Sequence, residues 1–290
     1  MRNLDLDALQ IFKAVAEQGG VARAAAHLNR VQSNVSTRLK QLEASLEAPL
    51  FRRQNRRLVL SEQGRVLLSY ADRLLRLSAE AQAAVRDGAP QGLLRLGTME
   101  STAAARLPPI LAAYHAAWPQ VRIELVTGTS GALAAMVRNY EIEAAFVAQP
   151  FESQGLAQQP AFDEELALIS PLAWPAIHGP KDVGERSVIA FAAGCSYRRI
   201  LESWFGQDGV APGKVMEFAS YHAIVACVAA GSGVAIVPRS VLALLGAEPS
   251  LRVTPLSGKH GRAQTRLIWR ADDETPALQA LRQLLAQRRQ

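Results

Sequence analysis

The sequence predicts two unlike parts: a small, mainly helical N-terminal domain ending in a long helix, and a larger α/β domain made of two subdomains. Three observations carry this. A chain of 290 residues is long for one compact core. Its net charge of +6 is uneven, since residues 1–90 hold 14 Lys and Arg against 9 Asp and Glu, and the remainder holds 18 against 17. Helical periodicity fills the first 90 residues, and strand-like runs alternate with helix-like runs after them.

The bulk numbers exclude several classes. Hydrophobic residues at 49% and charged residues at 20% are ordinary for a globular chain. No apolar run is long enough to span a bilayer. The start, MRNLDLDALQIF, places two aspartates where a signal peptide needs a basic end and an apolar run. A cytoplasmic location without membrane association is therefore expected. The two cysteines, Cys195 and Cys227, make neither a disulfide framework nor a zinc site. Basic charge confined to one end points to a polyanionic partner for that end.

LDALQIFKAVAEQ places Leu6, Leu9, Phe12 and Val15 at helical spacing. VARAAAHL follows as a short helix whose run Ala24, Ala25 and Ala26 lets a neighbour cross closely. Asn29 and Arg30 turn the chain, and a third helix begins near Val31. At 100° steps Val35, Leu39, Leu42 and Leu46 form its inward stripe. Ser33, Thr37 and Lys40 fall opposite, with Gln32 and Ser36 beside them. Two short helices tightly joined, the second with a polar face, have the form of a helix-turn-helix, whose second helix enters the major groove of DNA. Gln bonds adenine in two places, and Ser and Thr serve several bases. Arg30, Asn34, Ser36, Arg38 and Lys40 complete the expected contacts of this helix.

PLFRRQNRRLVLS then reads as two short strands around a polar tip bearing Arg52, Arg53, Arg56 and Arg57. Such a ribbon is a wing lying along phosphates, with Arg53, Arg56 and Arg57 as its contacts. Ser61 can cap a long helix reaching about Asp87. Within it Leu67, Tyr70, Leu74, Leu77, Ala81 and Ala84 repeat at intervals of 3 and 4, a seam for a helix of a second subunit.

DGAPQG is a linker by composition. LLRLGT, VRIELVT and EAAFVA are strands separated by helices, and the pattern recurs after Phe162, which implies parallel sheets covered by helices. The two subdomains, residues 92–162 with 267–290 and residues 163–266, resemble periplasmic solute-binding proteins (type 2). Ligands of open α/β sheets lie outside the carboxyl ends of the strands. Those ends are Met99, Glu100, Ser101 and Thr102, following Thr98; Thr127, Gly128, Thr129 and Ser130; Gly194, Cys195 and Ser196; and Phe218, Ala219 and Ser220. Each cluster leads into a helix start, where free N–H groups suit a carboxylate, although Ser and Thr also cap helices everywhere. Glu100 adds a negative charge suited to an amine. Cys195 at a helix start offers an alternative, a thiol of depressed pKa that senses oxidants. His27, His115, His178, His222 and His260 lack metal-ligand spacing, and no catalytic motif is present. Neither an enzyme nor a bound cofactor or metal is expected.

Residues 4–61 resemble the DNA-binding domain of LysR-type transcriptional regulators. The resemblance is carried by Phe12, Ala24, Ala25, Leu28, Gln32, Ser33, Val35, Ser36, Leu42, Glu43, Leu50, Phe51, Arg53, Leu60, Ser61 and Gly64. Thr37 stands where the family very often has arginine, and Ser33 where proline is common. The resemblance implies a multidomain chain: a winged helix-turn-helix at 1–61, a linker and dimerisation helix at 62–88, and an effector-binding domain at 92–290. It further implies a homodimer or homotetramer on operator DNA, controlled by a small carboxylate- or amine-bearing molecule.

Overall fold

A computed structural model describes residues 4–54, 57–86, 89–272 and 274–288. The chain divides into two compact units, residues 1–89 and 90–290.

The first unit contains α1 (Leu6–Gln18), α2 (Val21–His27), α3 (Gln32–Leu46), the hairpin β1 (Phe51–Gln54) and β2 (Arg57–Leu60), and α4 (Glu62–Arg86). Asp5 caps α1 by accepting from Asp7 N–H, and Gly19 ends it with φ of 64°, a left-handed turn that glycine adopts without a Cβ penalty. Leu9, Ile11, Phe12 and Val15 from α1 meet Ala24 of α2, Val35 and Leu39 of α3, and Ala71 of α4 in one core. The joint between α3 and the hairpin is held by Glu43, whose carboxylate accepts from Leu50 N–H at 2.7 Å and Phe51 N–H at 3.3 Å. Ser61 caps α4, accepting from Gly64 N–H at 2.9 Å and donating to the Pro49 carbonyl at 2.6 Å. Gly64 is required by close approach: a Cβ there would stand 2.1 Å from the Leu50 carbonyl oxygen.

Two expectations for this unit are corrected. The inward stripe of α3 holds for Val35, Leu39 and Leu42, but Leu46, in the last turn, is 36% exposed. The seam of α4 divides. Leu67 is 9% exposed and Leu74 packs on the same core, so both are used within the subunit. Tyr70 and Leu77 stay open at 50% and 63%, with Val66 and Ala81 exposed beside them. The physical reason is that the first turns of α4 also close the small core of α1–α3. The Ala84 side chain lies outside the described residues.

The second unit runs β3 (Gly92–Thr98), α5 (Glu100–Ala105), α6 (Pro108–Ala117), β4 (Val121–Thr127), α7 (Ser130–Arg138), β5 (Ala144–Ala148) and β6 (Leu156–Pro171). It continues with α8 (Pro180–Val183), β7 (Val188–Ala190), α9 (Ser196–Gly206), β8 (Val215–Glu217), α10 (Tyr221–Ala229) and β9 (Ala235–Pro238). α11 (Arg239–Leu245), β10 (Leu251–Pro255), β11 (Arg262–Arg270) and α12 (Pro276–Gln287) complete it.

Strand β3 lies parallel to β4 and β5, and β7 parallel to β8. β6 and β11 are antiparallel to their neighbours, which corrects the purely parallel sheets expected from alternation. The two lobes share these strands. Residues 156–165 of β6 pair with β11, and residues 166–171 pair with β9 and β10. A chain that leaves one lobe and later returns must run the second passage against the first. The register shifts by a bulge between Thr265 and Arg266. One face of the first lobe buries Leu94, Tyr114, Phe146, Trp269 and Leu281. Its other face is continuous with the core of the second lobe, through Leu133, Val147, Ile189, Phe205 and Val237. No helix among the described residues is long and apolar enough to cross a membrane.

Candidate functional site

In the first unit, α3 presents Gln32, Ser33, Asn34, Thr37, Arg38 and Lys40 to solvent, with Ser36 half-buried, opposite its buried stripe. Val31 precedes the helix without a side-chain cap; the Asn34 N–H donates to the Val31 carbonyl at 3.1 Å, which leaves the N–H groups of Gln32 and Ser33 to meet an anion. Arg30 is committed in part: its guanidinium holds Asp7, with Nη1 2.9 Å from Oδ2. That hydrogen bond draws the Asp7 carboxyl below the usual aspartate range. Arg38 stands 3.7 Å from Asp5 and 4.0 Å from Asp7. Arg30 and Arg38 are therefore balanced by Asp5 and Asp7. Arg52 and Arg53 are exposed along β1, opposite Val59 and Leu58, so they flank the tip instead of crowning it. Arg57 opens β2, and Arg56 lies outside the described residues.

In the second unit the four polar clusters follow β3, β4, β7 and β8, two in each lobe, and meet in pairs. After β4, the Gly131 N–H donates to the Gly194 carbonyl of the second lobe at 3.2 Å. Gly194 has φ of +92°, and a Cβ there would come within 3.1 Å of Thr129 Oγ1. Thr129 itself caps α7 by accepting from Ala132 N–H. Thr127 is exposed and Gly128 half-buried beside them. After β3, Glu100 reaches α10 of the other lobe, where Oε1 accepts from Tyr221 N–H at 3.4 Å. Burial raises the Glu100 carboxyl above its ordinary range, against the Tyr221 hydrogen bond and the nearby His222, which lower it. The buried Ser101 hydroxyl faces the phenols of Tyr197 and Tyr221. Ser220 precedes α10 without capping it, and Phe218 and Ala219 lead into it, half-buried and exposed.

Several expected ligand contacts are already used inside the protein. Ser130 Oγ accepts from Ala148 N–H at 3.2 Å and donates to Met99 Sδ at 3.3 Å. Ser196 Oγ donates to the Ala148 and Pro150 carbonyls at 2.6 and 3.0 Å. Thr102 is buried within α5. These side chains hold the end of β5 in place. Cys195 does not fit the redox alternative. It is buried, and burial raises its thiol pKa, overriding the backbone N–H groups of Arg198 and Tyr197 and the charge of Arg199. The depressed pKa required of a sensing thiol is absent.

Sequence reading missed Gly131, Tyr197, Tyr221, Thr265 and the pair Arg106–Glu164. Arg106, after α5, binds the buried Glu164 of β6 through Nε–Oε1 at 2.7 Å and Nη2–Oε2 at 3.0 Å. Ser240 of α11 donates to the same carboxylate at 2.8 Å. Their partners lie far away in sequence, so no local pattern marks them.

Comparison with known proteins adds the following. Residues 6–65 match the family described as bacterial regulatory helix-turn-helix protein, lysR family, and residues 87–290 match the LysR substrate binding domain. The chain is 38% identical over 279 residues to the HTH-type transcriptional regulator GltR of Bacillus subtilis, covering 96% of this chain and 94% of that one. It is 36% identical over 270 residues to the HTH-type transcriptional regulator SoxR of Arthrobacter sp., covering 93% and 92%. Among solved structures, a full-length OxyR variant from Pseudomonas aeruginosa matches with a TM-score of 0.76 at 22% identity, over 99% of this chain and 95% of that one. Full-length CbnR complexed with its target DNA matches with 0.70 at 23%, over 98% and 99%. At these identities the structures speak for the fold.

Proposed function

The chain belongs to the LysR family of DNA-binding transcriptional regulators with an effector-binding domain, and we propose that α3 reads base edges while the β1–β2 wing grips phosphates. The observation that carries this is the division of α3. Val35, Leu39 and Leu42 are buried, and the exposed side chains of Gln32, Ser33 and Thr37 have no partner among the described residues. Short hydroxyls and an amide without internal partners suit base edges. Tyr70, Leu77 and Ala81 of α4 join two subunits as a homodimer or homotetramer in the cytoplasm. A small-molecule effector sits between the lobes of the second unit, where Glu100, Thr129 and Gly194 face one another's lobes, and acts through its differential affinity for two lobe arrangements. The reading excludes catalysis from the protein's role. A redox response through Cys195 is set aside because the thiol is buried and burial pushes its pKa up.

Footprinting on several promoter fragments at stepped ionic strength tests the DNA reading. Replacing Arg53, Arg56 or Arg57 with Ala weakens binding to every fragment and flattens the salt slope by about one unit for each phosphate left without its cation. Gln32→Ala and Ser33→Ala reorder preference among fragments, by roughly 1–3 kcal/mol per base pair read. Identical behaviour of the two classes refutes the division of labour.

A further inference from the structure

Glu100 is where the two lobes meet through a charged group, and its carboxylate is only half satisfied. Oε1 takes the long bond from Tyr221 N–H, while Oε2 is inaccessible to solvent and has no donor. Next to it in the chain, Ser101 opens a second set of buried polar groups, with Tyr197 and Thr265, that face one another. Tyr197 Oη and Thr265 Oγ1, on residues 4% and 0% exposed, make no hydrogen bond of normal length and angle. Tyr197 comes from α9, Thr265 from the crossing strand β11, and Ser101 from the first lobe faces the Tyr197 phenol. Tyr221 adds an aromatic wall, its ring tilted against Phe191 at 4.8 Å.

Buried acceptors without partners are rare in folded proteins, and the groups that remain open are commonly completed by water, ion or ligand. The chemistry of this set is selective. An open carboxylate oxygen repels an anion and needs a donor, and a positively charged one forms the stronger bond. Aromatic faces attract the same charge. His222, in the first turn of α10, is exposed and forms no bond to Oε2.

We infer that the effector carries a protonated amine, bound by Glu100 Oε2 among Tyr197, Tyr221 and Phe191. The inference rests on the cleft between the lobes being the effector site. An amine held there touches the first lobe through Glu100 and the second through the aromatic residues, and so couples occupancy to the angle between them.

Calorimetric titration of the full-length protein tests this, using the standard amino acids, their 2-hydroxy-acid counterparts, and simple alkyl monoamines and diamines. At least one amino compound binds, and its counterpart without the amine binds about tenfold more weakly or worse, the difference expected of a charge-assisted bond. Glu100→Gln removes that preference while leaving the thermal transition in place. A second variant, Gly131→Trp, fills the point where the lobes touch, since even a Cβ at Gly131 already meets the Gly194 carbonyl at 3.5 Å, and it abolishes binding of every probe. Three results overturn the amine assignment and leave the cleft reading standing: hydroxy acids binding as well as amino acids, Glu100→Gln keeping its amine affinity, or no amine binding at all. Binding that survives Gly131→Trp overturns the cleft reading, and this inference with it.

Discussion

His260 illustrates how one side chain carries a solution property. It is buried against α9, with Nε2 3.2 Å from Ser203 Oγ. Burial, with the neighbouring Lys259 charge, lowers its pKa from the ordinary 6.5. The unfolded chain therefore takes up a proton near that value, and the folded chain resists it. The stabilising contribution is complete above pH 6.5 and disappears as the pH falls toward the lower folded value. All four tryptophans lie between residues 118 and 269, so urea unfolding followed by tryptophan fluorescence reports the second unit alone. Midpoints are expected to fall between pH 7 and 5, and His260→Gln to flatten that dependence. Equal pH slopes in the two proteins rule out this role. Other single residues act through backbone groups. Glu43 binds two N–H groups of the turn into β1, and Gly64 admits the Leu50 carbonyl. Both stand among the residues that carried the family resemblance, and the structure supplies the physical reason.

Elements show what periodicity can and cannot reveal. The inward side of α3 was legible because a 3.6-residue repeat is a local property of the chain. The stripe of α4 was legible as apolar, but its partner was not. Leu67 and Leu74 serve the subunit's own core, whereas Val66, Tyr70 and Leu77 remain exposed. Which wall of a helix a small domain needs is decided by the other helices, and no spacing within α4 records it. The same limit applies to Ser130 and Ser196. Their places before helices were readable, while their bonds to Ala148 and Pro150 cross 18 and 46–48 residues of chain. Glu100, in contrast, was legible as a charge among small polar residues, since its sign needs no partner to be known. The exposed α4 stripe leads to a prediction. Leu77→Glu places a charge on the open face without entering the core, so it is expected to lower the oligomeric state while leaving helix content unchanged. Sedimentation velocity and circular dichroism check this, and an unaltered oligomer removes that face from the interface.

Charge and topology separate the chain's tasks at the largest scale. The basic excess lies in residues 1–90, and the nearly neutral remainder is a two-lobed unit whose lobes are joined by β6 and β11. Two shared strands join the lobes, and the Arg106–Glu164–Ser240 cluster bridges them beside the crossing. Glu164 sits on a crossing strand, Arg106 follows α5 of the first lobe, and Ser240 belongs to α11 of the second. One buried carboxylate thus takes donors from both lobes next to the crossing. Removing the guanidinium leaves that carboxylate with Ser240 alone, and an under-satisfied buried acceptor costs about 1–3 kcal/mol. Arg106 is partly exposed, so water recovers some of this cost and the lower half of that range applies. Arg106→Ala is accordingly expected to lower the tryptophan-detected unfolding midpoint of the second unit while leaving effector-free DNA affinity within the error of a gel-shift titration. Arg106→Lys, which keeps the charge without the two-pronged geometry, should fall between the two. A clamp of this kind also stiffens the angle between lobes, so the effector's influence on the footprint should change in Arg106→Ala even at saturating ligand. An unfolding shift with an unchanged effector response would make the cluster a source of stability alone, and the angle between the lobes would then be set by the glycine pair at 131 and 194.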